Sequence, residues 1–505
     1  MNITRLRLVS TYALCLPLAL VACGGSEDGE KEGAASDGGG AGGAGGDGGG
    51  GTGGGAPASP NWNMIGFDPG STFHNPTETK ISTANVASLT KRWEHDFGTI
   101  GTQGTPMVVG NRLYILAGNG VFAFDADSGA ELWRTDGATP EFLAEEIFVG
   151  ATGSGAYEDG TIYFQNGNNG WVIALDAETG ALKWKTRQET NSAAAGWSST
   201  VIAGDLVITG NSSGSELNPP PEVFRGSVVA LDKKTGEVKW KSYTAQEGED
   251  GASVWAAPSV DVEGGLVFAP TGNNYTLGGP GSDAIIAFDL KTGAERWRYQ
   301  ARAGDVFTIL RPNGNPDYDM GGNPVVYDHG GKKLVAIGQK SGEVFVFDRI
   351  NGGEPLARRN LGGATAMPGG MFQALAYDGE RLIGVCNAAK SDAPGSEPAN
   401  MQSVRGSTSV LFGLDPVTLD IVYERQLPAY VWGPVTVANG VGYVGIEKQV
   451  QAFDAKTGVK LYTFETPGTV TGGVVVSEGR LFFPSGMNFA GSGHPDGHFY
   501  SLGLP

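Results

Sequence analysis

Ala174-Leu175-Asp176-Ala177-Glu178-Thr179-Gly180-Ala181-Leu182-Lys183-Trp184 reads as strand, tight turn, strand. Ala174 and Leu175 end one strand. Asp176 to Gly180 supply turn chemistry, with Gly180 free to take a positive φ. Leu182 to Trp184 begin the return strand, and the Trp184 ring is large enough to lie across a neighbouring element. The same pattern recurs at 123–133, 230–240 and 287–297, with weaker copies at 346–356, 413–423 and 452–462. The offset from Asp to ring is eight residues in six copies: Asp125 to Trp133, Asp176 to Trp184, Asp232 to Trp240, Asp289 to Trp297, Asp415 to Tyr423 and Asp454 to Tyr462. A fixed offset held that often marks stacked supersecondary units.

Two further strand-like runs precede each motif. In the first unit they are 105–109 and 112–117, and in the seventh 434–437 and 442–445. β-Branched residues and alternation mark them as strands, and turn residues join them. Four strands in each repeat of about 40 to 60 residues is the make-up of a propeller blade. The tail adds three strands, 470–476, 480–484 and 498–502, without a fourth. The orphan run Arg92-Trp93-Glu94-His95-Asp96-Phe97 carries the expected Trp and is predicted to close the ring against that last blade. Closure hides the edges an open array would expose. The expectation is an all-β, eight-bladed propeller, with seven blades the alternative if the sixth, with its long insertion, is malformed.

The chain ahead of the propeller has a different character. Residues 1–22 carry Arg5 and Arg7, then an apolar stretch from Leu8 to Leu20, the pattern of a secretory signal. Leu20-Val21-Ala22-Cys23 resembles a bacterial lipobox, which implies lipidation of Cys23. Residues 23–60 are a Gly-rich tether that cannot bury enough to fold. Its mean reach is about 30 to 35 Å. Residues 61–505 form the propeller domain. The predicted setting is the cell envelope, with the lipid as the only attachment to membrane. Gly24 after the lipidated Cys resembles an outer-membrane sorting signal. Of three Cys, Cys15 lies in the signal and Cys23 takes lipid, so Cys386 has no partner for a disulfide. The net charge of −19 repels phosphate and argues against nucleic acid as a partner, and it also serves solubility.

Several insertions are too long for hairpin turns: 214–226, 275–283, 303–320 and 388–407. They are candidates for the functional face. The five His are scattered, and no phosphate loop or nucleophile elbow is present.

The blade signature resembles the quinoprotein repeat. Asn61-Trp62-Asn63-Met64-Ile65-Gly66-Phe67-Asp68, followed by Ile81-Ser82-Thr83-Ala84-Asn85-Val86, is similar to the lead-in of pyrroloquinoline quinone (PQQ) dehydrogenases. The stretch 254–347 looks most like the polyvinyl-alcohol-dehydrogenase type. The resemblance covers 61–505 and implies an alcohol dehydrogenase using PQQ and Ca²⁺. Carried over residue by residue, Gly210-Asn211-Ser212-Ser213-Gly214-Ser215-Glu216 gives Glu216 as a calcium ligand and Ser213 as a PQQ contact. Thr271-Gly272-Asn273 gives Asn273 as a ligand. Tyr318-Asp319-Met320-Gly321-Gly322 gives Asp319 as both ligand and catalytic base, with Asp317 a near alternative. Trp255 matches the tryptophan that stacks on the quinone, and Lys340 the basic residue near its oxygens.

The residue types suit the chemistry. A hard cation takes carboxylate and amide oxygens and acts as a Lewis acid. A carboxylate can accept the alcohol proton, a flat indole supports a tricyclic ring, and an ammonium steadies developing negative charge.

The chain also departs from the family pattern. It has no Cys-Cys pair and carries Gln103 where a Glu is usual. No Arg stands near Gly153, and no Cys-x-x-Cys-His haem motif occurs. The resemblance therefore implies that electrons leave through a separate acceptor such as a cytochrome c. The alternative function is a non-catalytic propeller lipoprotein that binds envelope proteins, resembling the outer-membrane assembly propeller. That class shares the blade motif and the lipobox but lacks the Glu, Asn, Asp and Trp set. A propeller that only binds a small ligand is a third reading.

Overall fold

The computed structural model describes residues 61–143, 147, 150, 153–168, 170–214, 224–308, 316–363, 369–388, 408–487 and 494–505. The signal, the lipobox with Cys23, the tether and Glu216 lie outside the described residues. Residues 59–505 form one compact unit. Among the described residues it contains eight sheets, each the core of one blade and antiparallel throughout except where His74–Asn75 pairs in parallel with Thr436–Ala438. Blades one to seven are consecutive in sequence, and blade two, for example, runs through Ala156–Glu158, Thr161–Gln165, Trp171–Asp176 and Leu182–Arg187.

The eighth blade is built from both ends of the domain. Val475–Ser477, Arg480–Ser485 and Gly497–Gly503 are joined by Thr90–Gly98 as the outermost strand. Trp93 pairs with Ser501 there, so the orphan strand closes the ring as its sequence implied. The sixth blade keeps its four strands despite the insertion, which settles the count at eight. The innermost strands are shorter than the sequence suggests: the last blade's begins at Val475 and not at 470. Residues ahead of it, including Thr471, Gly472 and Gly473, turn into the channel wall instead.

The repeated motif is the joint between blades. In each turn the Asp carboxylate accepts backbone N–H groups two and three residues on, as Asp176 does from Glu178 and Thr179 at 3.1 and 3.0 Å. These donors, with an Arg296 ion pair leading, hold the Asp289 carboxyl down at about 2. The Trp indole N–H then donates to the carbonyl just after the next blade's Asp: Trp133 to Ala177 at 3.1 Å, Trp184 to Lys233 at 3.0 Å and Trp240 to Leu290 at 3.0 Å. The ring rests on the next blade's turn glycine. A Cβ on Gly180 would lie 2.6 Å from the Trp133 ring, and its φ is +74°, so no other residue fits.

The segment 61–75 runs around one opening of the channel. Its backbone bonds the innermost strands of blades one and two at Val108 and Tyr157. It goes on to Val260, Val326, Tyr377 and Val437 of blades four to seven. Asn75 reaches Val476 of the eighth at 2.7 Å. Trp62 is fully buried under this collar. The segment thus ties seven blades together, and its Ile65 and Phe73 line the axial cavity.

Candidate active site

The residues just ahead of each innermost strand converge on the propeller axis. They enclose a cavity of about 240 Å³. Trp197, Trp255, Phe372 and Trp432 of blades three, four, six and seven supply aromatic walls, and glycines and small polar or apolar side chains supply much of the rest. The backbones crowd here: a Cβ on Gly153 would lie 2.5 Å from the Ser198 carbonyl oxygen.

The polar centre lies where blades four and five meet. Lys340 sits in the turn between Lys332–Gly338 and Glu343–Asp348. Its backbone N–H donates to the Asp319 carbonyl at 3.0 Å. Its ammonium donates to Asp317 Oδ2 at 2.7 Å and to Asp319 Oδ2 at 2.6 Å. The three side chains are at most 6% exposed. The other Asp319 oxygen accepts the Asn273 backbone N–H at 2.6 Å. Gly272 makes this convergence possible. A Cβ there would lie 2.9 Å from Asp319 Oδ1 and 3.1 Å from Trp255 Nε1. The Lys340 ammonium stands over the Trp255 ring at 5.4 Å from its centroid.

Four of the candidates therefore share one centre: Trp255, Asn273, Asp319 and Lys340. Ser213 does not join them. It is buried at the end of Leu206–Ser213, paired to Ala194, and is not among the cavity-lining residues. Gln103 and Gly153, the family departures, do line the cavity.

Sequence reasoning missed Asp305 and Asp283. Asp305 is buried and neither of its carboxylate oxygens has a partner. Burial, then the charges of Asp319 and Asp317, push its carboxyl up to about 9. Asp283 is raised well above the usual range by burial and then by Asp305, while Gln339 Nε2 donates to both of its oxygens. Asp317 is pushed up by burial, with Lys340 pulling against it. The insertion 303–320 stands out by length, but nothing in a single sequence marks which of its acids is buried.

The centre is rich in acceptors and poor in donors. The buried Asn273 Oδ1 has no partner, although the same amide donates to the Asn274 and Phe307 carbonyls. Asp317 Oδ1, Asn274 Oδ1 and both Asp305 oxygens are likewise unmatched. Buried acceptors without donors are the surroundings a hard, oxygen-seeking cation satisfies. Among the described residues no group of three or more His, Cys, Asp or Glu already converges as a metal-holding set. The donors present thus fit a cation in kind, through Asn273 and Asp319, with the third sequence candidate, Glu216, outside the described residues. The flat Trp255 face beneath an ammonium fits an aromatic anion in kind as well.

Fold and site define a class: an eight-bladed propeller with one acidic, amide-lined and aromatic centre on its axis. The chain belongs to the PQQ propeller family described as "glucose/ethanol/alcohol dehydrogenase, beta-propeller domain", whose pattern matches residues 62–148 and 186–359, just over half the chain. A polyvinylalcohol dehydrogenase from a Pseudomonas species is 29% identical over 421 residues, 76% of this chain and 64% of that protein. The chain therefore spans less than two thirds of that relative's length. In fold, the quinohemoprotein alcohol dehydrogenase ADHIIG from Pseudomonas putida HK5 matches with a TM-score of 0.71 at 19% identity, covering 88% of this chain and 80% of that one. BamB from Moraxella catarrhalis matches with a TM-score of 0.55 at 17% identity, covering 82% and 99%. Both likenesses speak to the fold alone.

Proposed function

We propose that this protein is an alcohol dehydrogenase that uses PQQ and Ca²⁺. The observation that carries the reading is the meeting of the Trp255 face, the Lys340 ammonium and the Asp319 carboxylate at one cavity. Bound quinone supplies the two-electron acceptor for the hydride of the alcohol carbon. Asp319 takes the hydroxyl proton, and the Asn273 N–H fixes the orientation of its carboxylate for that transfer. Lys340 sets positive charge over the Trp255 ring, where negative charge would gather. Asn273 Oδ1 and Asp319 would hold the cation, with Glu216 completing the set. The substrate class is an alcohol, small or polymeric, in keeping with the polyvinylalcohol dehydrogenase relative. Electrons pass to an external carrier such as a cytochrome c. Lipid on Cys23 anchors the protein in the envelope, on the outer membrane facing the periplasm or the surface.

The alternative is a scaffold that binds envelope proteins, and it leaves the buried acid and lysine centre without a role. Titration of the protein with PQQ, with and without Ca²⁺, followed by tryptophan quenching, separates the two. The dehydrogenase reading expects saturable, calcium-dependent quenching and alcohol-dependent reduction of an artificial acceptor. Absence of binding at micromolar PQQ with calcium present would overturn it.

A further inference from the structure

The geometry points to Phe372 as a gate lying on the face of Trp255 that the quinone must use. This rests on the cofactor reading above. The Phe372 and Trp255 rings are stacked, with centroids 5.5 Å apart and planes 27° apart. The Lys340 ammonium is 5.4 Å from the Trp255 centroid and 6.0 Å from that of Phe372. These three distances form a nearly equilateral triangle. If the ammonium and the phenyl ring lay on opposite faces of the indole, they would stand far further apart. They approach Trp255 from one side. A planar ligand that stacks on Trp255 within reach of Lys340 needs that same side, so Phe372 and the ligand compete for it.

The backbone at Phe372 cannot move aside. The Met371 N–H donates to the Gln339 carbonyl at 3.0 Å, and a Cβ on Gly321 would lie 2.4 Å from the Met371 carbonyl oxygen and 2.9 Å from the Phe372 Cα. The side chain is only half-buried and faces the cavity. Rotation about its own χ1 is the free motion. Trp432 lies edge-on to Phe372 at 5.6 Å and 87°, a second aromatic contact besides Trp255. The closed position therefore lowers the fraction of protein ready to bind, and apparent affinity falls by that fraction. A stacked aromatic pair is worth about two- to tenfold in such an equilibrium.

The test measures PQQ binding in calcium by tryptophan quenching for the wild type, Phe372→Ala and Phe372→Leu. Leucine keeps apolar volume and guards against a folding defect in the alanine variant. Both variants are expected to bind PQQ about two- to tenfold more tightly, with faster association. Equal or weaker binding in both, beside a saturating wild type, would make Phe372 a wall and overturn the gate. A wild type that binds no PQQ would remove the cofactor reading first, and the gate with it.

Discussion

Replacing Lys340 with methionine tests the centre directly. Lys340, Asp317 and Asp319 are 1%, 5% and 2% exposed, so bulk water screens the acids little when the ammonium goes. One charge serves two carboxylates at 2.7 and 2.6 Å, and methionine fills the stem but leaves both acids without a counter-ion. Removing one partner of a buried pair costs about 3 to 5 kcal/mol. The two contacts share one donor, so they do not add, and about 4 kcal/mol is the expectation. At roughly 2.1 cal/mol/K per residue over about 445 folded residues, each kcal/mol is worth about 1 °C, so the melting temperature should fall by roughly 4 °C. The loss should depend on pH. Burial pushes the Asp317 carboxyl up and Lys340 pulls against it, so without the ammonium Asp317 holds its proton more tightly, and the deficit is largest in alkali and shrinks as the pH falls. Calcium should restore part of it, and should stabilise the variant more than the wild type, because the acids then attract the cation unopposed. Calorimetry of the metal-free protein at several pH values, with and without calcium, measures all three effects. A fall of under 1 °C that is independent of pH would refute the reasoning.

Three further outcomes follow from the same structure. In metal-free protein Asp305→Asn should flatten the dependence of stability on pH. The folded carboxyl sits near 9 against an ordinary 3.8, so its contribution is full below about 4 and is lost as the pH rises toward 9. Melting curves across that window for wild type and variant give the difference. Trp240→Phe should cost about 1 to 3 kcal/mol by leaving the Leu290 carbonyl without its 3.0 Å donor, read by denaturant unfolding. Cys386 is buried with its thiol pushed up to about 12 by burial, so it should resist a thiol reagent at pH 8 until the protein is unfolded.

The fold was legible because one joint repeats. Each Trp ring of the repeat rests on a glycine of the next blade and gives its N–H to a carbonyl there, so Asp, Gly and Trp travel together at fixed spacing. The weaker copies have a physical cause in the same joint. In blade six the glycine position holds Leu419, at φ +61° and fully buried. A large ring from the preceding blade no longer fits there, and that blade carries the exposed Leu356 where the others carry Trp or Tyr. The repeat fades by paired substitution across a blade boundary.

The centre was legible only where short segments resemble the family's motifs. Trp255, Asn273, Asp319 and Lys340 stand on the edges of two neighbouring blades, and the regular repeat fixes those edges in space. Asp305 and Phe372 escaped because their meaning is created by tertiary contact. Asp305 matters through burial beside acids fourteen and twelve residues away, and Phe372 through a ring reached across the channel from blade four. The same contrast explains the division of labour in the molecule. The outer strands repeat one joint and secure the ring, while the segments before the inner strands are freed from pairing. The aromatic faces and Asp305, Asp317 and Asp319 gather in those segments, and Asn273 and Lys340 join them from the connections between second and third strands.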